Sequence, residues 1–276
     1  MDIGGFRIEQ LSEGVFGVSP GGSIQKTTEQ KNQGDTPSGH ARVGLDPVLI
    51  DTGSTCILLD TGLGMGLDNN EPNRNTSNIL TNLEIFGYQP GDIKHVILSH
   101  LHYDHAAGMS FTGKSSAVSA TLPAAQIYVQ RSEWEAALAS VEHPPGTQGM
   151  GYEPDDLYRL VADDRFVFLD KERQDIVKGV TVLRTGGHTP GHQIVRLRSS
   201  GESAYYCGDL IPGDIHLNNS MHHKTDMDPS RARKAKMLLM NQAHRENATL
   251  LFYHSVYKKS GRITKDKNRK FVLSDY

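Results

Sequence analysis

The chain has 276 residues, with 29 Lys and Arg against 32 Asp and Glu, for a formal net charge of −3. That length suffices to bury a full core, and the near balance of charge gives no bulk pull toward nucleic acid or an anionic membrane. Hydrophobic residues make up 37%, and with charges of both signs this excludes a strongly charged, disordered chain.

Residues 1–276 read as one domain. The opening MDIGGFRIEQLSEGVF has no basic segment followed by an apolar stretch, so it is not a signal peptide. The apolar runs, such as Ile57 to Leu59 and Val96 to Leu98, are too short to span a bilayer. Cys56 and Cys207 each sit in an apolar run and read as buried free thiols, which fits a reducing cytoplasm. Residues 21–40 are polar, without periodicity, and read as a long surface loop. A homodimer in which this loop packs on a partner is an open reading.

Strands are expected at Pro47–Asp51 and Thr55–Asp60, separated by Gly53 and Ser54. A helix is expected over Thr76–Gly87, with Ile79, Leu80, Leu83 and Phe86 on one face and Gly87 as its stop. His95–Leu98 reads as a buried strand, residues 106–124 as a loop, Ala125–Val129 as a strand and Ser132–Ala139 as a short helix. A Pro- and Gly-rich insertion occupies about 140–160. Strands resume at Arg165–Leu169, Val180–Arg184, Gln193–Arg198 and Ser203–Cys207. Pro229–Asn247 has the marks of a helix, with Asp228 as N-cap, Pro229 in the first turn, and Ala232, Ala235, Leu239, Gln242 and Ala243 on one face. Thr249–Tyr253 is a strand ending at His254, and the basic segment from Lys258 to Lys270 reads as a solvated hairpin. Two groups of strands flank a helical middle, which suits an α/β fold of two sheets with helices outside.

Four clusters of polar residues each follow a strand-like run. In His100-Leu101-His102-Tyr103-Asp104-His105, four candidate metal ligands fall within six residues. In an extended segment His100 and His102 point to the same side and can grip one ion together. Asp104 and His105 lie beyond the strand end, where a turn can aim them at a second ion. In Thr185-Gly186-Gly187-His188-Thr189-Pro190-Gly191-His192, His188 is the natural ligand and His192 an orienting neighbour. Asp209, after Gly208, is placed to bridge two cations, and His254 closes the set.

This series resembles the metallo-β-lactamase superfamily, whose pattern is H-x-H-x-D-H followed by a later His, an Asp and a final His. The likeness extends from Asp60-Thr61-Gly62 to His254. It implies an αββα four-layer sandwich. It also implies that His100, His102 and His188 hold one divalent metal, that Asp104, His105 and His254 hold a second, and that Asp209 bridges them. Zinc suits these ligands, and Mn, Co or Fe fit as well. Two divalent ions offset by two aspartates and a shared hydroxide leave a net charge of about +1, which suits a developing oxyanion. The hydroxide would attack the substrate, with Asp104 orienting it and carrying a proton. Neutral histidines are needed, so activity should fall in acid.

The segment Leu210–Leu217 and the later Asp226-Met227-Asp228-Pro229 look like the branch that holds N-acyl-homoserine-lactone lactonases and organophosphate hydrolases. That makes a small-molecule ester or lactone the expected substrate, an N-acyl-homoserine lactone foremost, with a phosphotriester or aryl ester as the alternative. Residues near Met150 and Tyr152 would form a substrate cap. Several lactonases carry a tyrosine three residues after the bridging Asp; here Pro212 stands there. His216 is the preferred substitute, with His222, Tyr152 and Tyr103 as others. A mononuclear iron sulfur dioxygenase shares H-x-H-x-D-H and is a rival; a nuclease, lacking an added domain, and a non-catalytic binding protein are weaker ones.

Overall fold

The structure, a computed structural model, describes residues 1–18, 24–26, 41–64, 78–112, 118–141, 151–152, 154–217 and 225–274. Two seven-stranded mixed sheets form its centre. The first runs Asp2–Ile3, Phe6–Gln10, Val48–Asp51, Cys56–Leu59, Ile93–Ile97, Gln126–Gln130 and Phe166–Leu169. The second runs Arg173–Val177, Val180–Arg184, Gln193–Ser199, Glu202–Tyr206, Thr249–Leu251, Ser260–Lys265 and Phe271–Leu273.

Side chains that alternate along the strands create the layers. Ile57 and Leu59 enter one core while Leu58 enters another; Leu251 and Tyr253 part from Leu250 and Phe252 in the same way. The central core joins Ile8, Ile50, Ile57 and Ile97 of the first sheet to Val182, Val195, Tyr206 and Leu251 of the second, so the sheets face each other. Behind the first sheet, Leu58, Val96 and Val129 meet Ile79, Leu83, Ala137 and Leu160 of the helices. Behind the second, Ile194, Tyr205 and Leu250 meet Leu239, Met240 and Ala243. Each fully buried Leu or Ile is worth about 1.5–3 kcal/mol. The order helix, sheet, sheet, helix is the expected four-layer sandwich.

The helix Pro229–Glu246 is the crossover between the parallel strands Glu202–Tyr206 and Thr249–Leu251. Asp228 accepts the Arg231 N–H at 3.0 Å as its N-cap. Its buried face is Ala232, Lys236, Leu239, Met240 and Ala243 rather than one containing Gln242, because Met240 supplies the apolar bulk and Lys236 can bury its stem. The first helix spans Ile79–Ile85, capped by Asn78, and Gly87 takes the left-handed φ of +84° that ends it.

Several short strands differ from the expectation. Within the polar segment 21–40, Ile24–Lys26 pairs with Gly14–Val18, which also pairs with Ala41–Leu45; residues 21–23 and 27–40 lie outside the described residues. Backbone pairing against an existing strand overrides the polar composition there. In the expected loop 106–124, Ser110–Thr112 and Val118–Ala120 pair as a hairpin. The basic tail does form a hairpin, Ser260–Lys265 against Phe271–Leu273. Cys207 is buried and Cys56 half-buried, both as free thiols. Among the described residues no helix is long and apolar enough to cross a membrane.

Candidate metal centre

Parallel pairing sets the site. Cys56–Leu59 and Ile93–Ile97 run side by side, so Asp60 and Ser99–His100 leave the first sheet at one edge. Glu202–Tyr206 and Thr249–Leu251 do the same in the second sheet, delivering Asp209 and His254. The antiparallel turn between Val180–Arg184 and Gln193–Ser199 brings His188 to that edge. Gln193 joins the two sheets: its N–H donates to Ser99 O at 2.9 Å and its amide to Leu98 O at 2.7 Å. His102 precedes a helical turn, Tyr103–Ala106, which displays Asp104 and His105.

The seven residues singled out in the sequence come together as two groups. His100 Nε2 and His188 Nε2 lie 2.9 and 3.2 Å from His102 Nδ1. His105 Nε2 and His254 Nε2 lie 3.2 Å apart, at 3.8 and 3.4 Å from Asp104 Oδ2. Asp209 joins the groups. Its Oδ1 is 3.3 Å from His105 Nε2 and 3.2 Å from His254 Nε2, and its Oδ2 is 3.3 Å from His188 Nε2. Ligand atoms within each of three sets (His100, His102, His188; His100, His105, Asp209; Asp104, His105, His254) lie within 4.8 Å of one another.

These residues fit a cation. Oδ1 of Asp209 is buried without a hydrogen-bond partner while facing two imidazole nitrogens. Such an atom is costly unless something positive satisfies it. Imidazole nitrogens and carboxylates suit zinc-type ions. Burial drives His100 and His102 well below the usual imidazole range, assisted by neighbouring histidines, which favours the neutral, ligating form. For His105 and His254 burial works the same way, but the carboxylates of Asp104 and Asp209 outweigh it and raise both. Positive charge is thus favoured on the side of the second group.

Behind these groups stand Asp60 and Asp226, which the sequence marked only as parts of the family likeness, and others, such as Glu133, that it did not mark. Asp60 Oδ2 lies 2.7 Å from His105 Nδ1 and accepts the Ser99 and Tyr206 hydroxyls, each at 2.6 Å. His188 Nδ1 is 3.0 Å from Asp226 Oδ1, and His254 Nδ1 is 2.9 Å from Gly44 O. These contacts leave Nε2 of each ring facing inward. His192 acts as expected of an orienting neighbour: its Nε2 accepts the Asp209 N–H at 3.0 Å and its Nδ1 meets the Thr185 hydroxyl at 2.7 Å. Glu133, fully buried, accepts four hydrogen bonds, three from the loops around His100 and His188 and one from the Tyr152 hydroxyl.

The other candidates part company. Tyr152 donates its hydroxyl to Glu133 at 2.9 Å, and its ring packs edge-on to His102 with centroids 5.0 Å apart. Its hydroxyl is thus engaged by the Glu133 carboxylate. His216 sits on the turn Asp214–Leu217, which is tied to the His254 loop by Ser255 Oγ on Asp214 at 3.0 Å; it does not join the ligand groups. Tyr103 is partly exposed. His222 and, within the insertion, residues 142–150 (Met150 among them) and 153 lie outside the described residues.

Gly208 allows Asp209 its place. Its φ is +48°, and a Cβ there would stand 2.8 Å from Ser99 Cβ and 2.9 Å from His192 Nε2. Gly208→Ala should therefore cost on the order of 2 kcal/mol through backbone strain and overlap. Chemical denaturation checks this; an unchanged midpoint would show that the turn yields freely.

A family model described as the metallo-beta-lactamase superfamily matches residues 46–254. The chain belongs to the metallo-beta-lactamase superfamily. Over 267 residues it is 27% identical to an N-acyl homoserine lactonase of Bacillus thuringiensis, covering 88% of this chain and 94% of that one. A probable metal-dependent hydrolase from Staphylococcus aureus shares the fold with a TM-score of 0.77 at 24% identity, covering 100% of this chain and 99% of that one. AidC, described as a dizinc quorum-quenching lactonase in complex with its product, has a TM-score of 0.73 at 18% identity, with 100% and 96% covered. The superfamily is metal-dependent, and the His and Asp groups described above could hold a metal ion.

Proposed function

We propose that the chain binds two divalent cations and hydrolyses a small lactone or ester, with an N-acyl homoserine lactone as the best substrate. The observation that carries this is Asp209, whose two oxygens face two separate ligand groups. His100, His102 and His188 would hold the first ion and Asp104, His105 and His254 the second, with zinc favoured by the donor set. The lactonase relative, matched along nearly its whole length, supports the substrate class. Free thiols at Cys56 and Cys207 support a reducing, cytoplasmic setting.

Bound divalent ions supply a water whose pKa falls from 15.7 toward about 7 and a Lewis acid for the ester carbonyl. The protein does the positioning. Asp60 and Asp226 fix His105 and His188 through Nδ1 and keep each ring from turning. Asp104, with 19% of its side chain exposed against 0% for His105, is the ligand most open to solvent. In this reading it would take the proton released by the attacking water and return it to the leaving alkoxide. His216, on the turn beside the His254 loop, is proposed to polarise the substrate carbonyl in place of a tyrosine.

Metal analysis together with a screen of acyl homoserine lactones, aryl esters and phosphotriesters tests this reading. Two zinc-type ions per chain and the highest kcat/KM on a lactone are expected. One iron per chain would favour the sulfur dioxygenase, and a phosphotriester preference would overturn the substrate. In the same assay His216→Ala should lower kcat on the best substrate by about 10- to 100-fold; an unchanged rate removes its role.

A further inference from the structure

Glu133 is an acid on the inward face of its helix, one turn from the buried Ala137. Its helix, Arg131–Val141, follows the strand Gln126–Gln130, and Glu133 is 0% exposed. Its carboxylate is fully engaged. Oε1 accepts the Leu101 N–H at 3.0 Å and the Tyr152 hydroxyl at 2.9 Å. Oε2 accepts the Thr189 hydroxyl at 2.7 Å and the Gly191 N–H at 2.9 Å.

The donors are not scattered. Leu101 lies between His100 and His102. Thr189 follows His188, and Gly191 precedes His192. Tyr152 packs its ring against His102, and its backbone bridges to His102. One buried carboxylate therefore grips, from behind, both chain segments that carry the three imidazoles of the first group. The second group, Asp104, His105 and His254, is held by other means: Asp60, Tyr253 and the Gly44 carbonyl. The loop presses on the helix so closely that a Cβ on Gly191 would lie 2.4 Å from Glu133 Cβ.

We propose that Glu133 is the positioning residue of the first metal site: it sets the spacing of the His100–His102 segment against the His188 loop, and so the affinity of that site alone. The proposal rests on the two-metal reading above. The chemistry is specific to a carboxylate. Two of its four donors are backbone N–H groups, one on each oxygen. A glutamine of the same shape must turn its amide NH2 toward one of them, whichever way it sits. One segment then loses its anchor, and three imidazoles that must meet at a point no longer do.

The test is a chelator-competition titration of zinc into metal-free protein, run on wild type, Glu133→Gln and Thr189→Val. His188→Ala and Asp104→Ala, run in parallel, identify the binding step that belongs to each site. In Glu133→Gln the step that His188→Ala abolishes should weaken about 10- to 100-fold, as is usual when a ligand's supporting partner is removed. The step that Asp104→Ala abolishes should stay as in wild type. Thr189→Val, which removes one donor and keeps the carboxylate, should weaken the same step by less, and it carries the test if Glu133→Gln does not fold. Wild-type affinity at both steps in the variants overturns the proposal. So does equal weakening of both steps, which marks a general role in the fold. A wild-type protein that takes up fewer than two ions instead fails the two-metal reading and is told apart by that count.

Discussion

Asp209→Ala is expected to lower kcat/KM by at least about a thousandfold, the scale seen when a group that stabilises developing charge is lost. The side chain is the only one among the described residues whose oxygens face both ligand groups. Alanine leaves the Nε2 atoms of His105 and His254 with Asp104 as the remaining carboxylate, and takes from His188 a neighbour at 3.3 Å. Metal content should fall below two ions per chain. Fold should survive, because the turn Gly208–Leu210 is held through its own backbone, by the Leu210 N–H on Cys207 O and the Asp209 N–H on the His192 ring. A variant that keeps two ions and wild-type rates would show that the carboxylate does not bridge.

Lys259→Met should destabilise the protein by about 3 kcal/mol, or on the order of 6 to 9 °C in Tm. Asp46 is 0% exposed, and its carboxylate receives the Lys259 ammonium on both oxygens. Methionine keeps most of the stem and removes the charge, leaving a buried carboxylate unpaired. Lys259 is itself 27% exposed, which places the loss at the low end for a buried pair. The pair sits behind Gly44, whose carbonyl faces His254 Nδ1, so loosening there should reach the second ligand group.

The pH dependence of this loss has a definite sign. Burial already raises the Asp46 carboxyl above its usual range, against the pull of Lys259. Removing Lys259 raises it further. A group whose folded pKa exceeds its unfolded one favours folding below that pKa and loses this advantage as pH rises through it. The deficit should therefore be largest at neutral pH and shrink in acid. Asp46→Asn combined with Lys259→Met should recover part of the loss. A pH-independent deficit, or none, would contradict the account.

The clustered His and Asp residues were legible in the sequence because each cluster follows a short apolar run, and strand ends are where a sheet delivers side chains to a common edge. Asp104 and His105 were legible for the same reason, and the turn that presents them is a helical one. The groups that hold the ligands were not. Asp60 meets His105 across 45 positions, Asp226 meets His188 across 38, and Glu133 meets Gly191 across 58. Spacing does not show which side chain such an acid meets: Asp60 and Asp226 stood out only as parts of the family likeness, and Glu133 carried no mark at all. The strand Phe6–Gln10 did carry a signal, since Phe6 and Ile8 alternate inward, but charged neighbours disguised it. The pair Ile24–Lys26 exists through its partner strand, and composition alone pointed to a loop.

Anomalous diffraction at the zinc edge from crystals of the metal-loaded protein tests the central claim most directly. Two peaks are predicted, one among His100, His102 and His188, the other among Asp104, His105 and His254, with the Asp209 carboxylate between them. A single peak, or two peaks without Asp209 contacting both, would contradict it.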